Sequence, residues 1–141
     1  MTSRLNPYIS YPGNARQAME FYRGVFGGEL ALNTYGESGA AEGPDGDKIM
    51  HAQLETPAGY TLMASDTPPG MEHSEGTSIS ISLSGDDDEA LRGYFAKLSE
   101  GGAVTMPLEK QMWGDEFGMC VDPFGIAWMV NIAQPGAVSG A

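Results

Sequence analysis

Apolar and polar residues alternate at every second position in several short segments of this chain, and apolar residues recur every three to four positions in two longer ones. The shorter period predicts β-strands and the longer one amphipathic helices. One helix is predicted to begin after Asn14, a good N-cap, and the other in the acidic run 86–89. Glycine pairs at 27–28 and 101–102 end them. The predicted strands are residues 5–11, 30–35, 48–56, 60–65, 77–84, 104–108, 117–122 and 126–132.

The predicted elements occur twice in the same order because the sequence is internally repeated. FYRGVFGGEL at 21–30 matches FAKLSEGGAV at 95–104, an offset of 74 residues, and ETPAGYTLM at 55–63 matches VDPFGIAWM at 121–129, an offset of 66. The eight extra residues of the first copy fit in the glycine-rich segment 36–47, which we expect to be a mobile loop. The fold class is therefore α+β, with two βαβββ modules.

We place the first module at residues 1–66 and the second at 77–133. Two copies of one unit related by a pseudo-two-fold axis predict one compact pseudo-symmetric domain, 1–133, and its length is that of a single domain. The Gly-, Ala- and Ser-rich residues 134–141 are expected to be a flexible tail.

Alternation assigns a polar and an apolar face to the first strand of each module. The polar residues are Asn6, Tyr8, Ser10, Ser78, Ser80 and Ser82. The apolar residues are Leu5, Ile9, Ile79, Ile81 and Leu83. Because the helices must cover the apolar side, we expect a curved mixed sheet with helices on its convex face. The concave face would then form a cup lined by the polar residues.

Charge and cysteine content narrow the classes of partner. The chain has 141 residues, 7 basic and 19 acidic, and a net charge of −12, which argues against nucleic acid and anionic membranes as partners. No apolar run is long enough to span a bilayer, and the start of the chain lacks the apolar core of a signal peptide. Cys120 is the only cysteine, which fits a reducing, cytoplasmic location.

Three segments resemble a known superfamily. They are NPYISYPGNARQAMEFY near the start, MHAQL with LMASD around His51 and Asp66, and WGDEFGMCVDPFGIAWMVN at 113–131. Together with the paired modules they are similar to the vicinal oxygen chelate superfamily, which includes glyoxalase I, extradiol dioxygenases, fosfomycin-resistance proteins and bleomycin-binding proteins. The residues Trp113-Gly114, the Asp-Pro-Phe-Gly run at 122–125 and Trp128 resemble its PhnB-like branch more narrowly.

The resemblance implies where a metal would be held. Metal-using members take His, Glu or similar ligands from the first and fourth strands of each module, and leave sites open for a substrate with two neighbouring oxygens. The matching positions here are Asn6 or Pro7, Ser80 or Ile81, Met63 and Met129. None carries a carboxylate or an imidazole. We therefore expect no metal or other cofactor at these positions, and a divalent metal would need other residues.

Seven side chains are candidates to line the cup and bind a ligand. They are Asn6, Tyr8, His51, Met63, Ser80, Trp113 and Met129. His51 is a candidate general base or hydrogen-bond donor, or else a strand histidine with a structural partner. Trp113 could close a pocket, pack on a partner subunit, or anchor the domain.

Other residues are given structural roles. Asp115 and Glu116 are expected to be solvated loop acids, and Trp128 to be core under a helix. Gly59 and Gly125 match one another in turns that we expect to need a positive φ.

The resemblance and the cup residues predict a homodimer that binds a small, uncharged or aromatic molecule without metal. Two alternatives stay open. One is a metal-dependent lyase, isomerase or dioxygenase that recruits His51, Asp66, Glu55 or Glu116, and the other is a structural dimer without ligand. The sequence does not decide whether the protein is an enzyme.

Overall fold

The computed structural model describes residues 5–39, 43–68, 70–73, 76 and 79–134. The first copy of the repeat contains β1 (Tyr8–Tyr11), α1 (Ala15–Phe26), β2 (Glu29–Thr34), β3 (Ile49–Glu55) and β4 (Thr61–Asp66). The second contains β5 (Ile81–Gly85), α2 (Asp88–Ser99), β6 (Ala103–Lys110), β7 (Glu116–Val121) and β8 (Ala127–Ile132). The predicted β-α-β-β-β order is confirmed in both copies.

Each copy builds a four-stranded sheet of the same topology. The strand orders are β1-β4-β3-β2 and β5-β8-β7-β6. The first strand of each copy pairs in parallel with the fourth, and the remaining pairs are antiparallel. The sheets are therefore mixed, and the α+β class with two βαβββ modules is confirmed.

The chain divides into two compact units, residues 1–75 and 76–141, which we call the first and second units. In the first unit the apolar stripe of α1 contacts β2, β3 and β4, and in the second α2 contacts β5, β7 and β8. The core of the first unit includes Met19, Tyr22, Ala52, Leu54, Leu62 and Ala64. The core of the second includes Leu83, Leu91, Phe95, Leu98, Cys120, Trp128 and Val130. Their union in one domain, 1–133, stays a prediction.

Helix α1 begins where the sequence predicts, but its first amide is bound by another residue. Asn14 makes no side-chain capping hydrogen bond. The carboxylate of Asp66, at the end of β4, accepts the N–H of Ala15 at 2.9 Å and the N–H of Ile49 at 2.8 Å. Asp66 is buried at 1% exposure, so one carboxylate joins the helix start to two strands of the core.

The Asp-Pro-Phe-Gly turn of the second unit is held by its aspartate. Oδ1 of Asp122 accepts the N–H groups of Phe124 and Ile126, and Oδ2 accepts the indole N–H of Trp128 at 2.8 Å. Trp128 is 1% exposed, which confirms its predicted place in the core. Gly125 has φ 86° and Gly59, its counterpart in the first unit, has φ 90°, so both predicted positive φ angles are confirmed.

Two predicted strands are too long at their first residues. β1 starts at Tyr8 and β5 at Ile81. Leu5 and Ile79, assigned above to the apolar face, are 101% and 84% exposed. Both residues precede the first residue that pairs with the fourth strand of their unit. The alternation of apolar and polar residues therefore begins before the paired part of each strand, where these two side chains are exposed.

Three further predictions meet the structure in other ways. The loop 36–47 contains a short 3₁₀ helix, Gly43–Asp47, and residues 40–42 lie outside the described residues; its mobility stays a prediction. In the tail, only Gln134 is among the described residues. Neither α1 nor α2, the α-helices of the described part of the chain, has the length and apolar character needed to cross a membrane.

Candidate functional site

The candidate residues of the first unit lie on the sheet face opposite α1, which we call the distal face. In the ladder Tyr8 is the partner of Met63, Met63 of Gln53 and Gln53 of Ala31, so these four form one row across the sheet. The residues next to them along the strands, such as Ala52, Leu54 and Ala64, are fully buried under α1. Because side chains alternate between faces, the row points away from the helix.

His51 lies on the distal face beside this row. It pairs with Asn33 on β2 and is partly exposed. Its Nδ1 is 3.4 Å from the hydroxyl oxygen of Tyr8, and the two ring centroids are 5.9 Å apart at a tilt of 42°. Tyr8 is 52% exposed although its ring is a large apolar surface. The structure thus brings together three predicted residues, Tyr8, His51 and Met63.

A second tyrosine lies near this group but within the protein. Tyr35 is 8% exposed and donates its hydroxyl to the backbone oxygen of Asp66 at 3.1 Å. Burial raises the pKa of Tyr35, and the nearness of Tyr8 and Asp66 adds to the rise. Tyr35 therefore stays a neutral donor in a fixed hydrogen bond. Of the two tyrosines, Tyr8 is the one that is exposed to solvent.

Asn6 shares the alternation of Tyr8 but precedes β1. It is half-buried, and the adjacent Pro7 accepts a backbone hydrogen bond from Met63 at 3.0 Å. Gln53, which the candidate set did not include, stands between Met63 and Ala31 in the row. The period of two placed Gln53 on the face of His51, and its place beside Met63 follows from the register of β3 and β4.

Two carboxylates of the metal-dependent alternative, Asp66 and Glu55, are bound by other groups of the first unit. Asp66 shares its sheet face with the buried Ala64 and uses both carboxylate oxygens on backbone amides, so it is on the opposite face from His51. Glu55 is bound to Gln53 at 2.6 Å and to Thr61 at 2.9 Å. Within the described ranges, no three His, Cys, Asp or Glu side chains gather as a metal site would require. These residues do not fit a divalent metal bound at His51.

The candidate residues of the second unit, Ser80, Trp113 and Met129, lie in different segments of that unit. Met129 lies on β8, on the sheet face opposite α2, and pairs with Ser82 and Met119. Ser80 is exposed and precedes β5. Met106, which sequence reasoning did not single out, pairs with Met119 from the other side. Two register shifts in β6 hide Met106 from a simple count of alternating positions.

Trp113 lies in the turn between β6 and β7 and is 57% exposed. Its ring meets that of Phe117 edge to face, with centroids 6.0 Å apart. The turn is closed by a 2.8 Å hydrogen bond from the N–H of Gln111 to the backbone oxygen of Asp115. Of the three predicted roles of Trp113, which are to close a pocket, to contact a partner subunit or to anchor the domain, its exposure disfavours the last.

The prediction that Asp115 is a solvated loop acid is wrong, and Glu116 is the first residue of β7 and is partly exposed. Asp115 is 1% exposed and accepts hydrogen bonds from Nδ2 of Asn131 and the N–H of Gln134. Glu116 binds Arg92 of α2, and this contact, followed by Asp88, raises the pKa of Arg92. Both acids therefore fix the chain around the turn that carries Trp113.

Comparison with known proteins identifies the family. Residues 4–130 match the family described as the Glyoxalase/Bleomycin resistance protein/Dioxygenase superfamily. Protein Mb0911c of Mycobacterium bovis is 34% identical over 139 residues, which cover 93% of this chain and 82% of that protein.

Solved structures agree with this match. The crystal structure of PA1353 from Pseudomonas aeruginosa is similar with a TM-score of 0.83 and 39% identity, covering 95% of this chain and 100% of that one. The PhnB protein from Bacillus cereus shares the fold with a TM-score of 0.73 at 24% identity, covering 93% of this chain and 100% of that one. The chain belongs to the Glyoxalase/Bleomycin resistance protein/Dioxygenase superfamily, and a PhnB protein is among its structural neighbours.

Proposed function

We propose that this protein binds a small, uncharged aromatic molecule on the distal face of the first unit, without a metal ion. The observation that carries the proposal is the contact between Tyr8 and His51. Two polar aromatic rings meet on a sheet face opposite the helix, and the tyrosine is half exposed. Met63 lies next to Tyr8 in the ladder and adds an adaptable apolar contact.

The chemistry around the pair favours an uncharged ligand. Asn33 and Ser65 on the distal face can donate and accept hydrogen bonds but carry no charge, and the carboxylate of Glu55 on this face is bound to Gln53 and Thr61. The chain as a whole carries a net charge of −12, which disfavours anions. An aromatic ring could stack on Tyr8 or His51 while its polar substituent bonds to the edge of the sheet row.

The Tyr8–His51 pair can offer the ligand either a donor or an acceptor. If the tyrosine hydroxyl donates to Nδ1, neutral His51 carries its proton on Nε2 and can donate to a carbonyl or ether oxygen. If Nδ1 carries the proton, Nε2 is free to accept a hydroxyl or N–H. The pair therefore suits phenols and heteroaromatic N–H compounds as well as aromatic carbonyl compounds.

Calorimetric titration with phenol, catechol and indole tests this function. Tyr8→Phe keeps the ring and removes the hydroxyl, and His51→Ala removes the imidazole. We expect His51→Ala to weaken binding by about tenfold or more, which corresponds to about 1.4 kcal/mol. His73→Ala is the matched control, because His73 bonds to Thr67 in the segment after β4, away from the row. Equal affinities in His51→Ala and the wild type would refute the proposed site.

A homodimer and a cytoplasmic location belong to the same proposal. Exposed large apolar side chains on the second unit, including Val104, Met112 and Trp113, are the kind of surface that subunit contacts bury. Sedimentation equilibrium of the wild type and of Trp113→Ala would test the dimer.

A further inference from the structure

Three of the nine methionines of the chain stand side by side in the second unit. Met106 on β6 is the ladder partner of Met119 on β7, and Met119 is the partner of Met129 on β8. Met119 and Met129 alternate with the buried Cys120 and Trp128 and so point away from α2. We call the three residues the methionine row.

The first unit shows that the fold does not require this row. The corresponding row there consists of Ala31, Gln53, Met63 and Tyr8, with a single methionine. The same sheet topology therefore places one thioether in this row in the first unit and three in the second. The difference lies in the side chains that the second unit presents on the face opposite its helix.

The three methionines of the row are partly exposed to solvent. Met106 is 40% exposed, and Met119 and Met129 are partly exposed. Directly opposite residues in a sheet have Cβ atoms about 4.5–5.5 Å apart. A methionine side chain has three rotatable bonds, so the side chains of Met106 and Met129 can both extend toward the sulfur atom of Met119 on the central strand.

We propose that Met106, Met119 and Met129 form a binding site for a soft monovalent cation of the Cu(I) and Ag(I) class. Thioethers are soft ligands that select Cu(I) over hard divalent ions. Three of them supply a neutral, three-coordinate set, and the charge of the cation is balanced by the acidic chain, with Glu109 on the same edge strand. The site is independent of the ligand proposed for the first unit.

The cysteine next to the row does not compete for the ion. Cys120 follows Met119 directly, but its side chain points to the other face and is 1% exposed. Binding of a soft cation by the folded protein would therefore report on the thioethers.

Titration of the intact protein with Ag(I) in chloride-free buffer tests the site, because Ag(I) needs no reductant. Calorimetry should show one ion per chain. With ¹³C-labelled methionine methyl groups, the signals of Met106, Met119 and Met129 should shift together and the other six stay in place. Met119→Leu should weaken binding by about tenfold or more, since it removes the central ligand while keeping an apolar side chain of similar size.

Matched variants distinguish binding of Ag(I) at the methionine row from binding at other sulfur atoms of the protein. Met63→Leu and the exposed Met112→Leu should bind Ag(I) as the wild type does, and so should Cys120→Ala. Thermal unfolding establishes that each variant is folded. The proposal is overturned if Met119→Leu binds as tightly as the wild type, if Cys120→Ala abolishes binding, or if all methionine methyl signals shift alike.

Discussion

The indole Nε1 of Trp128 donates a 2.8 Å hydrogen bond to Oδ2 of Asp122, and both side chains are buried. The other oxygen of the same carboxylate accepts the N–H groups of Phe124 and Ile126. One side chain therefore closes the turn between β7 and β8 and fastens it to the largest residue of the core. The turn residues and the strand tryptophan of the sequence motif act as one structural unit.

Asp122→Asn should lower the free energy of unfolding by about 2–3 kcal/mol. If the remaining oxygen keeps the two backbone bonds, the new amide group faces the indole N–H, and two donors are left opposed in a buried place. Urea denaturation followed by far-ultraviolet circular dichroism measures the change. Asp45→Asn is the control, because the ion pair of Asp45 with Lys48 is exposed and should contribute at most about 0.5 kcal/mol. Equal losses in the two variants would contradict this role.

Asp66→Asn should destabilise the protein more than Asn14→Ala, although the sequence predicts Asn14 as the N-cap of α1. Asn14 occupies the N-cap position without a capping bond, and its Oδ1 is buried without a partner, so its removal should cost less than about 0.5 kcal/mol. Asp66 binds two buried N–H groups, so Asp66→Asn should cost about 2–3 kcal/mol. Urea denaturation of both variants makes the comparison, and a loss near 1 kcal/mol or more in Asn14→Ala would show that Asn14 caps the helix after all.

Stability should fall at high pH through Cys120. Its pKa rises from the ordinary 9.0 to about 11 in the folded protein. The contribution of the protonated thiol to the free energy of unfolding is therefore complete below pH 9 and is lost as the pH rises toward 11. The loss by pH 10 amounts to about 1 kcal/mol. Cys120→Ala should lose less stability than the wild type between pH 8 and pH 10 in urea denaturation. Parallel losses in both proteins would assign the effect to other groups, such as Tyr35.

Two glycines should respond to alanine in opposite directions. Gly24 lies within α1 and an added Cβ would meet nothing within 4 Å, so Gly24→Ala should stabilise the protein by about 0.5–1 kcal/mol. Gly125 also has open space, but its φ is 86°, so Gly125→Ala should cost about 1 kcal/mol. Shifts in the thermal midpoint provide the measurement. A gain in Gly125→Ala would mean that the turn relaxes to a negative φ.

The sequence predicts the elements of the fold because each signal is local or repeated. The period of two places Trp128 in the core, and the offset between the copies pairs Gly59 with Gly125. The same period misplaces Leu5 and Ile79, since alternation does not reveal where the fourth strand begins to pair.

Contacts between residues that are far apart in the chain cannot be predicted from local sequence patterns. The sequence predicts that Asp115, which follows Gly114, is solvated. It is instead buried and accepts hydrogen bonds from Asn131 and Gln134, which follow it by 16 and 19 residues. The contact of Tyr8 with His51 depends on the order of β1, β4 and β3 in the sheet, which the family resemblance implies and local patterns do not. Met106 joins Met119 only through the irregular register of β6.

The most direct test of the proposed ligand site uses the two histidines of the chain, His51 and His73, as separate reporters. Their ring signals are recorded by NMR, assigned with His73→Ala, and followed while phenol, catechol or indole is added. If the ligand binds beside Tyr8, the His51 signal shifts with saturation, the His73 signal stays in place, and Tyr8→Phe weakens the response. An unchanged His51 signal with all three compounds, or equal shifts of both histidines, would contradict the proposed ligand site.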